Sequence, residues 1–358
     1  MDEAQVVAVH DMPSIYQVPS LLKEQGLVPL LRHILNLDGV KSPYSLVKKG
    51  DRMWTQWTDR TSPNPDSLKS VTIALVGKYV ELHDAYMSVV KALEHSAMRC
   101  KRELDLIWVD AEHLEPHYKT RDPSKHEKAW KDVVRAAGIL VPGGFGHRGT
   151  EGMMAAAKYA RDNKKPYLGI CLGMQIAVIE FARTICGIQD ASSEEFEGVQ
   201  SQNNVVMYMP EIDKTTMGAT MRLGLRPTIF QEGSEWSRLR ALYGEHKTIM
   251  ERHRHRYEVN PEYIEKLEAS GLCFIGKDDA GKRMEIIEFK DHPYFVGVQF
   301  HPEYLSRVLD PSKPYLGFVA ASAGCLSNIT KEVLHNPQVT VNGVNGVNGV
   351  NGVHGNSL

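Results

Sequence analysis

Residues 67–330 predict an α/β fold, a doubly wound and mostly parallel sheet with helices on both faces. Three observations carry this. Apolar runs of strand length alternate with segments of helical spacing from Val71 to Ile185, the pattern of repeated strand–helix–strand crossovers. The runs are apolar along their whole length, as strands covered on both faces require. Glycines gather just after the run at 138–141 and around the end of the run at 167–170. The carboxyl ends of strands are where such sheets build their sites.

In chain order, the first 66 residues read as an attachment to this sheet. Residues 6–9 predict a short buried strand. Ile15, Val18, Leu21 and Leu22 share a helical face that stops at Gly26. Residues 41–68 are rich in Pro, Ser, Thr and Asp and read as a linker that packs through Trp54 and Trp57. So little apolar content does not support an independent core. The regular part opens with a strand at 71–76. Tyr86, Val89, Val90, Leu93 and Ala97 then repeat at helical spacing, with Asp84 as the cap. A strand at 104–109, a helix at 130–137, a strand at 138–141 and an Ala-rich helix at 151–162 follow. The strand at 167–170 leads into a helix at 174–185. Further on, 205–208, 228–230, 284–289 and 295–300 predict strands and 261–269 a helix. Residues 331–358 read as a flexible tail, because the Val-Asn-Gly repeat between 341 and 353 offers nothing to build a core.

Bulk properties narrow the function. A hydrophobic content of 42% and a charged content of 24% are ordinary for a globular chain, and the net charge of −2 points to neither nucleic acid nor an anionic membrane. No apolar stretch is long enough to span a bilayer, and the acidic start Met1-Asp2-Glu3-Ala4-Gln5 lacks the character of a signal peptide. The five cysteines, at 100, 171, 186, 273 and 325, are odd in number and show no Cys-x-x-Cys spacing. This indicates a reducing compartment, the cytosol, without a disulfide framework or structural zinc.

Four motifs carry chemistry. Gly169-Ile170-Cys171-Leu172-Gly173 has the layout of a nucleophile elbow with sulfur in the place of the usual serine oxygen. The glycines permit a tight strand-to-helix turn, and the helix N-terminus favours thiolate. A buried structural cysteine in a βα turn fits the pattern equally well. In Gln299-Phe300-His301-Pro302-Glu303, His301 ends an apolar strand and Glu303 stands two residues on. A cysteine nucleophile needs a base, and the base needs an acceptor that fixes its tautomer, with contacts of about 3 Å. Taken alone, His-Pro-Glu is also a common surface turn. Val141-Pro142-Gly143-Gly144-Phe145-Gly146 leaves backbone N–H groups free for an oxyanion, with Leu172 as the second donor, or forms a tight loop without a ligand. Glu251-Arg252-His253-Arg254-His255-Arg256-Tyr257 could serve phosphate, nucleic acid or a metal. The arginines would repel a cation and the patch is short for nucleic acid, so a fork for a substrate carboxylate fits better, with some arginines in structural ion pairs.

These residues together resemble the class I (triad-type) glutamine amidotransferases, through Gly-Ile-Cys-Leu-Gly-Met-Gln at 169–175, Pro-Gly-Gly-Phe-Gly at 142–146 and Phe-His-Pro-Glu at 300–303. Within that class, Thr-Met-Arg-Leu-Gly at 220–224 and Arg-His-Arg-His-Arg-Tyr-Glu-Val-Asn at 252–260 resemble the CTP synthases. So do Ser-Ile-Tyr-Gln-Val-Pro at 14–19 and Leu-Leu-Lys-Glu-Gln-Gly at 21–26. The resemblance covers roughly residues 5–328 and is similar throughout in motif order. The GMP synthase type is a weaker match because of the 252–260 run and the N-terminal segment.

The resemblance implies a flavodoxin-like sheet and hydrolysis of L-glutamine to glutamate and ammonia through a glutamyl thioester. It implies Cys171 as nucleophile, His301 as base and then acid, Glu303 as its orienting partner, and Gly144 and Leu172 as oxyanion donors. Gly144, Leu172, Gly173, Met174 and Gln175 would hold the substrate, with Glu195 on its α-ammonium and Arg256 on its α-carboxylate. The stretch at 220–224 matches a lid that responds to GTP. No cofactor or metal is implied for this domain. ATP and Mg2+ belong to the synthetase domain of the complete family enzyme, a homotetramer that aminates UTP to CTP. Residues 1–66 look like the end of that domain and its linker. No Gly-x-x-x-x-Gly-Lys-Ser/Thr phosphate loop occurs in the sequence. The expectation is therefore the glutaminase half-reaction alone. The alternative is a non-catalytic regulatory or assembly partner of the full-length synthase.

Overall fold

The computed structural model describes residues 5–62, 68–196, 201–210 and 221–335. The Val-Asn-Gly repeat and Thr220 lie outside them. The strands are β1 (Lys69–Gly77), β2 (Arg102–Asp110), β3 (Gly138–Val141), β4 (Tyr167–Ile170), β5 (Ser192–Ser193) and β6 (Asn204–Tyr208). They continue with β7 (Arg222–Phe230), β8 (Thr248–His255), β9 (Tyr257–Val259), β10 (Cys273–Lys277), β11 (Met284–Glu288) and β12 (Phe295–Val298). The helices of the N-terminal segment are α1 (Val18–Glu24), α2 (Leu27–Ile34) and α3 (Tyr44–Thr61). Those of the body are α4 (Met87–Arg99), α5 (Tyr118–Arg121), α6 (Pro123–Arg135), α7 (Thr150–Asp162), α8 (Leu172–Thr184), α9 (Arg238–Leu242), α10 (Ile264–Ala269), α11 (Lys313–Ser322) and α12 (Leu326–His335).

The predicted α/β fold is present. One nine-stranded sheet runs in the order β2-β1-β3-β4-β12-β11-β10-β7-β8. Its first five strands are parallel. The remaining four add antiparallel strands to the β12 edge. Helices α6, α7 and α8 cover one face, where Val133, Met153 and Ile179 are buried against Ile139 and Tyr167. On the other face α4, α9 and α11 bury Leu93, Leu239 and Phe318 against Leu75 and Val296. The chain winds outward from β1 in both directions, so the crevice lies between β1 and β3. A small sheet, β5-β6-β9, packs beside α8.

Several expected elements differ. Residues 6–9 form no strand, and Val6 and Val9 are exposed. The expected linker at 41–68 holds the 18-residue helix α3, whose polar composition hid its helical spacing. Within residues 5–62 only Thr61 is buried, in keeping with the lack of an independent core. Asp84 does not cap α4. It lies in a 3₁₀ turn (His83–Tyr86), and the helix starts at Met87 without a side-chain cap. Helix α6 begins at Pro123, well before residue 130, with Asp122 accepting from the Lys125 N–H at 3.1 Å. The Arg/His run is strand β8, in which Glu251, His253 and His255 are buried while Arg252 and Arg254 are exposed.

Candidate active site

Cys171 sits at the junction of β4 and α8. Its φ of 51° and ψ of −101° place it in strained backbone, the mark of a nucleophile elbow. Two glycines make the turn possible. A Cβ on Gly169 would lie 2.5 Å from the Gly173 carbonyl oxygen, and one on Gly173 would lie 2.1 Å from that of Val141. The Tyr167 hydroxyl donates to the Gly173 carbonyl at 2.8 Å and ties the helix start back to the strand.

His301 follows β12, the parallel neighbour of β4. Its backbone N–H donates to Arg252 O at 2.8 Å, and its Nδ1 meets Glu303 Oε1 at 2.7 Å. That bond leaves Nε2 for the cysteine. Burial opposes protonation of the imidazole, but the Glu303 charge and the contacts to Cys171 outweigh it and hold the ring well above 6.5. A Cβ on Gly143 would stand 2.8 Å from His301 Cε1 and 3.6 Å from Cys171 Cβ, so the loop after β3 forms a wall against both side chains. Gly143, Gly144, Cys171, His301, Glu303 and Tyr304 line one cavity of about 240 Å³. Larger hollows beside Trp130 have no cysteine in their walls.

The glycine loop is held from two sides. Lys78, which follows β1, donates through Nζ to Phe145 O at 3.0 Å and to Gly146 O. The Gly146 N–H donates to Glu195 Oε1 at 3.0 Å. Burial pulls the Lys78 ammonium down to about 8. Burial also pushes the Glu195 carboxyl up, against the Gly146 N–H and the charges of Lys78 and Arg256. Glu195 and Arg256 therefore lie within electrostatic reach of one another, and Arg256 Nε is buried with no hydrogen-bond partner among the described residues. Arg254, from the Arg/His run, also lines the cavity.

The remaining expected residues are less directly placed. Leu172 is buried beside Gly144, its Cδ2 being 3.3 Å from where a Cβ would stand. The Met174 side chain packs in the core against Gly297, which leaves only its backbone to face a ligand. Gln175 is buried and donates through Nε2 to Tyr257 O and to Gln299 Oε1, each at 3.1 Å. Arg222, in the stretch matched to a lid, lies 3.3 Å from Glu285 Oε1.

Lys78 and Gln299 were missed as individual residues. The signal for Gln299 was its spacing of two from His301 in an extended segment. For Lys78 it was its place directly after the first strand. At 252–256 the arginines and histidines separate by face, while the Arg222 guanidinium stands 3.3 Å from Glu285 Oε1. Arg252 and Arg254 face away, and His253, His255 and Glu285 bring ligand atoms within 4.8 Å of one another. Burial, with the charges of the neighbouring histidines and Arg222, pulls His253 down to about 2. Burial pulls His255 down to about 3.

Residues 81–321 match the glutamine amidotransferase class-I family. The chain is 64% identical over 332 residues to CTP synthase of Neurospora crassa, covering 93% of this chain and 57% of that protein. It is 60% identical over 322 residues to CTP synthase of Schizosaccharomyces pombe, covering 90% of this chain and 53% of that one. It thus spans a little over half the length of these relatives. A solved structure, the glutaminase domain of Trypanosoma brucei CTPS with bound acivicin, superposes with a TM-score of 0.64 at 42% identity. That match covers 71% of this chain and 94% of the other. The chain belongs to the class I glutamine amidotransferases. Within that class it carries the amidotransferase domain of the CTP synthase type. Among the described residues no helix is long and apolar enough to cross a membrane.

Proposed function

We propose that this chain hydrolyses L-glutamine to glutamate and ammonia through Cys171, His301 and Glu303. The observation that carries the reading is the meeting of a strained cysteine and a carboxylate-bound imidazole in one glycine-walled cavity. Cys171 Sγ attacks the side-chain amide carbon as His301 Nε2 takes the thiol proton. The oxyanion is met by the Gly144 and Leu172 N–H groups. His301 returns the proton to the departing nitrogen, releasing ammonia and leaving a glutamyl thioester. Water, deprotonated by His301, then attacks the thioester, the sulfur regains its proton and glutamate leaves. Glu195 and Arg256 supply one anchor of each sign for a zwitterionic substrate. Gln175 and the backbone of Gly173 and Met174 complete that subsite.

In a complete enzyme the ammonia would serve ATP- and Mg2+-dependent amination of UTP to CTP, with GTP as effector and full-length subunits as partners in the cytosol. The reading as a non-catalytic assembly partner draws on the exposed Val28, Leu31, Ile34, Leu46 and Val47 of α2 and α3. Two measurements separate them. Glutamate release by the purified chain should be lost in Cys171→Ser, and a glutamine-derived chloroketone should label Cys171 in the unmutated chain. Equal release by the variant, or an unlabelled Cys171, would overturn the catalytic reading. Co-elution with full-length synthase by an inactive chain would favour assembly.

A further inference from the structure

We infer that Gln299 is a positioning residue for the Cys171 sulfur, supplying an N–H···S hydrogen bond that favours the thiolate form. The inference rests on the reading of Cys171 as nucleophile and adds a residue to it. Gln299 is 1% exposed, and its Nε2 lies 3.5 Å from Cys171 Sγ. Its backbone is pinned by the bond from its N–H to Glu285 O at 2.9 Å, while His301 N–H is pinned to Arg252 O. The sulfur therefore has two polar neighbours from one short segment, a base at 301 and a donor at 299.

The orientation of the amide is fixed from outside the site. Tyr257 O is a backbone carbonyl and can only accept. It accepts from Gln175 Nε2 at 3.1 Å. The second hydrogen on that same nitrogen goes to Gln299 Oε1 at 3.1 Å. With its oxygen taken by a donor, Gln299 must turn its NH2 toward Cys171. Gln175 thus donates to the β9 carbonyl on one side and to Gln299 on the other, and Gln299 passes the donation on to the sulfur. A buried amide donor needs an acceptor, and a thiolate is a far better one than a thiol. When His301 withdraws the proton, the hydrogen bond strengthens and stabilises the charge left on sulfur. Gln175 thereby acquires a second task, the locking of Gln299.

The test uses the full chain and two variants. Gln299→Met keeps the volume and removes the donor. Gln299→Glu keeps the shape and replaces the donor with an acceptor. The readout is the pH midpoint of Cys171 alkylation by iodoacetamide, followed by mass spectrometry of the Cys171 peptide. Gln299→Met should raise the midpoint by about half to one pH unit, and Gln299→Glu by more. Glutamine turnover should fall about tenfold in kcat with little change in KM, the pattern of an interaction made in the transition state. A midpoint unmoved in both variants, with native-like melting, would overturn the inference. Should either variant fail to fold, Gln175→Met leaves Gln299 in place but unlocks its amide. It should move the midpoint in the same direction, and an unmoved midpoint there overturns the inference as well. A chain that hydrolyses no glutamine sinks the glutaminase reading, yet its alkylation midpoint still reports on Gln299. An unmoved midpoint in an active chain sinks this inference alone.

Discussion

At the scale of single residues, the site depends on close approach where side chains would not fit. Gly143 shows this best, because a methyl group there would collide with His301 Cε1 at 2.8 Å. The imidazole is the movable partner, so Gly143→Ala should swing the ring away from Cys171 while leaving the sheet intact. The expected result is a loss of about 10²-fold in glutaminase kcat, with a melting temperature close to that of the parent. Steady-state kinetics and a thermal melt read on the same preparation check this, and an unimpaired kcat would show that the ring is not fixed by the loop wall. Cys171, His301 and Glu303 were legible in the sequence because each sits in a short motif whose backbone geometry is dictated locally. Gln299 and Lys78 were not. They act through bonds to Cys171 and to the loop at 145–146, whose partners are far away in the chain. The role of the Arg/His run was half legible. The strand period of two hides in a string of charged residues, and only the pairing of β8 with β7 shows which side chains turn inward.

At the scale of elements, the parallel half of the sheet was legible because its strands are apolar throughout and their helices carry clear spacing. Of the antiparallel strands, β7 was read only at its end and β8 and β10 were not read as strands. Helix α3 was missed because polar and charged residues break up the spacing of its apolar positions. The N-terminal elements are tied to the body by a few polar bonds. The Tyr16 hydroxyl donates to Glu94 Oε2 at 2.6 Å and Arg60 Nη1 donates to Val308 O at 2.7 Å, while Trp57 Nε1 donates to Tyr16 O at 3.0 Å within the segment itself. Burial, together with Glu94, pushes the Tyr16 phenol well above its ordinary value. With no buried apolar residue of their own, α1 to α3 should release before the sheet melts. Tyr16→Phe combined with Arg60→Ala should therefore speed proteolytic cleavage within residues 5–62 severalfold, with the main thermal transition unmoved. Limited proteolysis followed by mass spectrometry reads the cleavage. Unchanged cleavage would mean that the remaining contacts, among them the Tyr16 ring against His95, hold the segment by themselves.

At the scale of the whole molecule, buried titratable groups set how stability responds to pH. Burial holds His95 and His292 at about 4, with His253 and His255 lower still. Below 6.5 the unfolded chain takes up protons that these folded histidines refuse, so their contribution is lost as pH falls. Glu251 and Glu285 act in the opposite sense, because burial pushes both up to about 8 from 4.5. Between 4.5 and 8 the folded chain keeps protons that the unfolded chain has released, so the stability they contribute is lost as pH rises through that window. The two sets oppose each other from 4.5 to 6.5, and above 6.5 the histidines no longer offset the acids. Glu251 is the cleaner one to test, since its Oε1 accepts from the Tyr243 hydroxyl at 2.7 Å and a glutamine oxygen can do the same. Glu251→Gln should leave stability near pH 5 little changed relative to the parent. It should then gain on the parent by about 1 kcal/mol per pH unit between 6.5 and 8. Urea unfolding at several pH values gives this difference directly, and a gap between variant and parent that does not widen toward pH 8 would mean that Glu251 is ionised in the folded protein.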